Sequence, residues 1–208
     1  MGKQKIILIA ALLALAGSVA ALFFSQRPAK INLTLDQTVG EVVAGETSKL
    51  LNNQGQVVLI TQDTSADFNE ALDAQVKSFQ QALHTKRGLA IEAIEKIQRP
   101  PMNMNRENGL SKGQFLKVVQ DHPNADAIVS FMGFPQLQAQ DLTLLNPGKC
   151  KYVAVFNSAF GIDLERLRAQ QAMDLAVVAR AEPATPAGTA PRTARDWFDA
   201  SYSVLKRD

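Results

Sequence analysis

Cysteine occurs once in these 208 residues, at Cys150, and histidine twice, at His84 and His122. One thiol excludes an intrachain disulfide, so cysteine usage assigns no redox compartment. A basic excess is missing as well. The chain carries 22 Lys+Arg against 20 Asp+Glu, and Lys3 and Lys5 lie ahead of the first apolar run. From residue 25 onward the balance is therefore 20 against 20. A neutral body lacks the electrostatic footprint of a nucleic-acid binder. No Gly-x-Gly-x-x-Gly follows the first expected strand and no Gly-x4-Gly-Lys-Ser/Thr occurs, so the common phosphate-cradling loops are excluded. Met102 and Met104 offer two thioethers without a neighbouring His or Cys, which makes a poor soft-metal site. These shortages leave no catalytic residue, no metal ligand and no cofactor to assign.

What is present begins with one long hydrophobic run. Ile6–Phe24 holds 19 residues without a charge. As a helix it reaches about 28 Å, close to the ~30 Å of a bilayer's hydrocarbon core. A cleaved signal's apolar region is usually shorter, roughly 7–15 residues, so the length favours a single-pass anchor over a removed signal. Lys3, Lys5 and the terminal amine precede the run, while Arg27 and Lys30 follow it. The slight bias places the N-terminus inside and the bulk of the chain on the extracytoplasmic side of the cell (inner) membrane. Residues 1–30 are thus read as an anchor or uncleaved signal.

Beyond it, apolar periodicity predicts alternating elements. Val39, Val42, Val43, Thr47, Leu50 and Leu51 share one helical face from about Thr38 to Asn53, weakened by Gly40 and Gly45. Val57–Thr61 is a short β-branched run suited to a strand buried on both faces. Ser65 or Asp67 could cap a following helix with Phe68, Leu72, Val76, Phe79 and Leu83 on one face. Leu89–Ile97 partly alternates, as an edge strand would. After a long loop from Arg99 to Leu110 come a helix over 111–122, a strand over 127–132 and a helical stretch over about 136–145. A strand over 152–156, a helix marked by Leu164, Leu167 and Ala172, and a strand over 175–179 complete the series. Strict alternation predicts an α/β fold: a doubly wound, mainly parallel five-stranded sheet with helices on both faces, filling residues 31–182. A Pro/Ala/Thr linker over 183–192 leads to an amphipathic helix over 193–208. Ala194, Trp197, Phe198, Ser201, Tyr202 and Leu205 share its broad face, which must be covered by its own domain or by a partner.

Three strings carry a resemblance. Gly55–Asp63 resembles the opening strand of a lobe in type I periplasmic sugar-binding proteins. Asn124–Gly133 is similar to a later strand of the same lobes, and Thr193–Asp199 to the tail of some bacterial solute-binding proteins. The resemblance implies a Rossmann-like lobe that binds a small polar, sugar-like ligand without catalysis. That family has two lobes closing on a ligand, and this body has room for one.

In a doubly wound sheet, ligands sit beyond the carboxyl ends of the strands, at the switch in strand order. That rule selects Asp63, Thr64, Ser65, Phe134, Asn157, Ser158 and Arg180 as ligand-binding candidates. Their carboxylate, amide, hydroxyl and guanidinium groups give directional hydrogen bonds, and Phe134 gives a ring face. Asp63, Ser65 and Asn157 fit equally well as caps of turns and helices. Trp197, Phe198 and Tyr202 are the candidates for contact with a protein partner or a second copy. The alternatives are a structural or interaction protein that uses this C-terminal helix, and an enzyme without a recognised motif.

Overall fold

The computed structural model describes residues 32–65, 68–98, 109–145, 148–157, 172–182 and 192–207. The apolar run over 6–24, most of the 99–110 loop, the expected helix around Leu164 and nearly all of the 183–192 linker lie outside them. Among the described residues no helix is long and apolar enough to cross a membrane.

The described residues from Leu33 onward form one compact unit. In chain order its elements are α1 (Thr34–Leu50), β1 (Gly55–Gln62), α2 (Glu70–His84), β2 (Leu89–Ile97), α3 (Lys112–Asp121) and β3 (Ala127–Ser130). They continue with α4 (Ala139–Leu142), β4 (Lys151–Phe156), β5 (Leu175–Ala179), α5 (Ala194–Ser201) and β6 (Tyr202–Lys206). The sheet order is β2-β1-β3-β4-β5-β6. Every pairing is parallel except β5 with β6.

Side-chain alternation in β1 assigns the two faces of the sheet. Val57 and Leu59 point into a core with Val39 and Val43 of α1, Phe79 and Leu83 of α2, and Phe198 of α5. Val58 and Ile60 point the other way, into a core with Phe115, Val118 and Val119 of α3 and Leu137 and Leu145 around α4. A continuous apolar run is what a strand covered on both sides requires. The edge position expected for β2 is also found. Its alternation is re-phased by a bulge, because Val57 pairs with Ile91 while Val58 pairs with Ala93. Glu92 is the extra residue. Ile91 therefore joins the α1/α2 core, while Ala93 and Ile97 join the α3 core.

Several boundaries differ from the sequence reading for local reasons. Asn69, not Ser65 or Asp67, caps α2: its side chain accepts from Leu72 N at 3.1 Å. Phe68 then lies before the helix and is 67% exposed. The fourth helical position is Asp73, so a preceding apolar residue finds no staple partner there. The helix expected over 136–145 is a single turn, although Leu137 and Leu145 on either side of it are both buried.

The largest correction is at the C-terminus. The helix expected over 193–208 stops at Ser201, and residues 202–206 form a sixth strand. In so short a segment helical and strand spacings coincide. Tyr202 and Val204 face the α1/α2 core and Leu205 the opposite side, which only a strand allows. Ion pairs fix the new strand at its far end. Buried Asp174 accepts from Tyr152 N at 3.0 Å and lies 3.2 Å from Lys151 Nζ and 2.9 Å from Arg207 Nη2. Lys206 Nζ lies 2.7 Å from Glu46 Oε2 of α1. Burial opposes the Glu46 charge, but Lys206 and Lys49 outweigh it and hold the carboxyl below its ordinary value.

The two glycines of α1 turn out to differ. A Cβ on Gly40 would stand 2.2 Å from the Gln75 carbonyl oxygen and 2.8 Å from Phe79 N, so this glycine permits the close crossing of α1 and α2. A Cβ on Gly45 meets nothing within 4 Å. Gly40→Ala is expected to destabilise the fold by about 1–3 kcal/mol, as overpacking does. Gly45→Ala is expected to stabilise it by up to about 1 kcal/mol through helix propensity. Urea titration separates the two, and equal midpoints would contradict the packing.

Candidate functional site

The strand order reverses between β1 and β3, so the crevice of this topology lies beyond Gln62 and Ser130. On the β1 side Asp63 Oδ1 accepts from Ser65 N at 3.0 Å, an Asx turn that fixes the carboxylate at the rim. That backbone N–H, then the Ser65 hydroxyl, Gln98 and Lys96, hold Asp63 below the usual carboxylate range. Asp63 and Thr64 are half-buried and Ser65 is exposed. On the β3 side Gly133 has φ 79°, a left-handed conformation that suits glycine.

The remaining candidates are engaged within the fold. Phe134 packs against Phe115 at a centroid distance of 4.8 Å and Tyr152 at 6.4 Å, part of an aromatic group on the α3 side. Asn157 Nδ2 donates to Gln75 Oε1 at 3.2 Å, and Asn157 Oδ1 accepts from Gln75 Nε2 at 3.3 Å and from the Tyr202 hydroxyl at 3.4 Å. Gln75 Nε2 also donates to Asp36 Oδ1 at 2.8 Å. This network ties α1, α2, β4 and β6 together. Burial, with the nearby Asp36 charge, pushes the Tyr202 phenol up. Arg180 Nε donates to the Tyr202 carbonyl at 3.1 Å, and Arg180 N to the Ser201 carbonyl at 2.7 Å. Ser158 lies outside the described residues. The structure thus gathers Asp63, Thr64 and Ser65 in one turn, while Phe134, Asn157 and Arg180 carry internal contacts.

The aromatic candidates of α5 divide in the same way. Phe198 is 1% exposed and stacks on Tyr202 at 5.5 Å, within the core of its own domain. Both side chains are therefore covered by the domain itself, the first of the two coverings that the sequence allows. Trp197 is 51% exposed and is the one of the three that faces outward, so the apolar face proposed for this helix is only partly buried.

Groups with chemical potential are held in unreactive settings. Burial pushes the Cys150 thiol up to about 11. The flanking cations do not offset this: Lys149 Nζ donates to the Pro123 carbonyl and Lys151 pairs with Asp174. Both ring nitrogens of His122 are taken by Glu92 and Glu95. Gly109-Leu110-Ser111-Lys112-Gly113 has the Gly-x-Ser-x-Gly spacing of a nucleophile elbow. Its context differs. Ser111 is an ordinary extended N-cap at φ −73° whose hydroxyl donates to Gln114 Oε1 at 2.8 Å. A neutral amide cannot take the proton of a nucleophilic serine.

No family model matches this chain, and no curated protein matches it. Solved structures do. The chain is similar to AraP, an arabinose binding protein from Geobacillus stearothermophilus, at 15% identity and TM-score 0.55, covering 83% of this chain and 61% of that one. It is similar to the XylFII-LytSN complex at 12% identity and TM-score 0.51, covering 83% and 60%. It is also similar to the fructose binding periplasmic domain of a hybrid two component system, at 14% identity and TM-score 0.50, covering 69% and 45%. The chain spans less than two thirds of each. Its fold resembles a single lobe of type I periplasmic sugar-binding proteins.

The network around Gln75 predicts a structural phenotype. Gln75→Leu keeps the volume but strips the bonds to Asp36 and Asn157. It is expected to lower stability by about 1–3 kcal/mol, the cost of buried polar groups left unpaired. A urea midpoint equal to the parent's would contradict the assignment.

Proposed function

We propose that this chain is a non-catalytic binding lobe, tethered to the inner membrane by residues 6–24 with its bulk on the extracytoplasmic side. It takes a small polar, sugar-like ligand at the β1–β3 switch point. The observation that carries this reading is the Asp63–Ser65 turn. It holds an ionised carboxylate at the rim of the crevice, where a hydroxylated ligand finds an acceptor and neighbouring hydroxyl groups. A single lobe leaves such a ligand open on its far side, and a partner protein or a second copy is one source of an opposing wall.

Catalysis is not part of the proposal. The Cys150 thiol is raised by burial, His122 is occupied at both nitrogens, and Ser111 has an amide where a base is needed. Exposed Trp197 on α5 favours a second reading, in which the lobe is a scaffold that meets a protein through this helix.

A panel of pentoses and hexoses, followed by thermal shift, tests the first reading. At least one sugar is expected to raise the melting temperature, and Asp63→Ala is expected to abolish that rise. The substitution also removes the Asx-turn hydrogen bond and should lower the unliganded stability by about 1 kcal/mol, which leaves the fold intact for the comparison. A panel with no shift, or a shift that survives Asp63→Ala, would contradict the ligand site.

A further inference from the structure

His122 follows the last residue of α3, and its N–H closes that helix on the Val118 carbonyl. Its ring reaches across to the edge strand. Nδ1 lies 2.9 Å from Glu92 Oε1 and Nε2 lies 3.0 Å from Glu95 Oε1. The bulge in β2 makes this double contact available. In a regular strand, residues three apart point to opposite faces. The extra residue at 92 re-phases the strand, so both carboxylates reach the same ring. The imidazole side chain is 13% exposed, and the two carboxylates are 29% and 38% exposed.

A neutral imidazole has one N–H donor and one lone pair. With a carboxylate at each nitrogen, the neutral ring would set its lone pair against an oxygen about 3 Å away. Only the imidazolium satisfies both sides. From this geometry we infer that His122, Glu92 and Glu95 form a proton-dependent clasp that fastens the C-terminal end of α3 to the edge strand β2. The opposite end of α3 is attached without a charge, through Gln114 Nε2 donating to the Gln98 carbonyl at 3.4 Å. Beside the apolar packing of Ala93 and Ile97, these are two polar attachments of the helix to β2 and the residue that follows it, and the His122 one titrates.

Other charges near the clasp are paired. Lys117 of α3, which also feels Glu95, is bound to Asp121, and Lys149 is bound to the Pro123 carbonyl beside the ring. Partial burial works against the imidazolium, but the bonds to Glu92 and Glu95 outweigh it and raise His122 above the ordinary histidine value. The sign follows from linkage. The contribution is fully present below the unfolded value of about 6.5 and is lost as pH rises through the higher folded value. Alkaline conditions therefore loosen α3 from the edge of the sheet. The clasp does not depend on the ligand reading.

Hydrogen exchange, corrected for the intrinsic pH dependence of amide chemistry, tests the clasp. Between about pH 6 and pH 9, which brackets the histidine range, protection of residues 89–97 and 115–122 is expected to fall about tenfold. That is the order of one charge-assisted hydrogen bond. Protection of α1 should not change. His122→Gln is expected to show the low protection at both pH values. His122→Arg, which keeps a cation between the carboxylates, is expected to keep the high protection at both. In the variant His84→Asn only one histidine remains. Its imidazole NMR signals should titrate above the ordinary value in the folded chain and at that value in concentrated urea. An imidazole titrating at or below the ordinary value, or a pH dependence that persists in His122→Gln, would overturn the clasp.

Discussion

The pairing of β6 with β5 is the constraint on which the rest of the fold depends. A sheet covered on both faces has nowhere to hide the unpaired N–H and C=O groups of a central strand, so its last parallel strand must be paired or shielded. Here the chain returns through α5 and lays Tyr202–Lys206 antiparallel against Leu175–Ala179. The same return buries Phe198 and Tyr202 in the α1/α2 core and brings Arg207 and Lys206 to Asp174 and Glu46. One segment thus satisfies backbone, apolar and charged groups together. Asp174 shows the coupling most clearly. With Arg207 gone, a buried carboxylate would face Lys151 and one backbone N–H, and a buried charge deprived of a partner is costly.

The strand ends show the other side of the same economy. Asn157 and Arg180 stand where the topology places ligand-binding groups, yet they spend their hydrogen bonds on Gln75, Tyr202 and the Ser201–Tyr202 backbone. They help hold the tail in place. That leaves the Asp63–Ser65 turn as the part of the rim whose polar groups are organised locally, by its own backbone. Most polar groups at this rim are thus committed to holding the tail of the fold.

Much of the fold could be read from apolar spacing. The run Val57–Ile60 announced a strand covered on both faces, and the mixed pattern of Leu89–Ile97 announced an edge. Three features could not be read that way. Residues 202–206 satisfy helical and strand spacing at once, and only the open side of β5 decides between them. The bulge at Glu92 shifts the phase of β2 without any glycine to mark it. The engagement of Asn157 depends on Gln75, 82 residues away in sequence, so position in the topology alone placed it in the crevice. The Asp63 turn, by contrast, is local and was legible as either a cap or a site. The spacing of Phe68 matches Leu72, but the Asn69 cap starts the helix one residue after Phe68 and leaves it outside.

Removal of residues 202–208 tests the central claim most directly, because it takes away the strand and its two basic anchors and leaves α5 in place. If β6 completes the sheet, the shortened chain loses its cooperative thermal transition, or melts far below the full chain, and β5 amides exchange like those of an open edge. A shortened chain that melts at the same temperature, with β5 protection unchanged, would contradict the account.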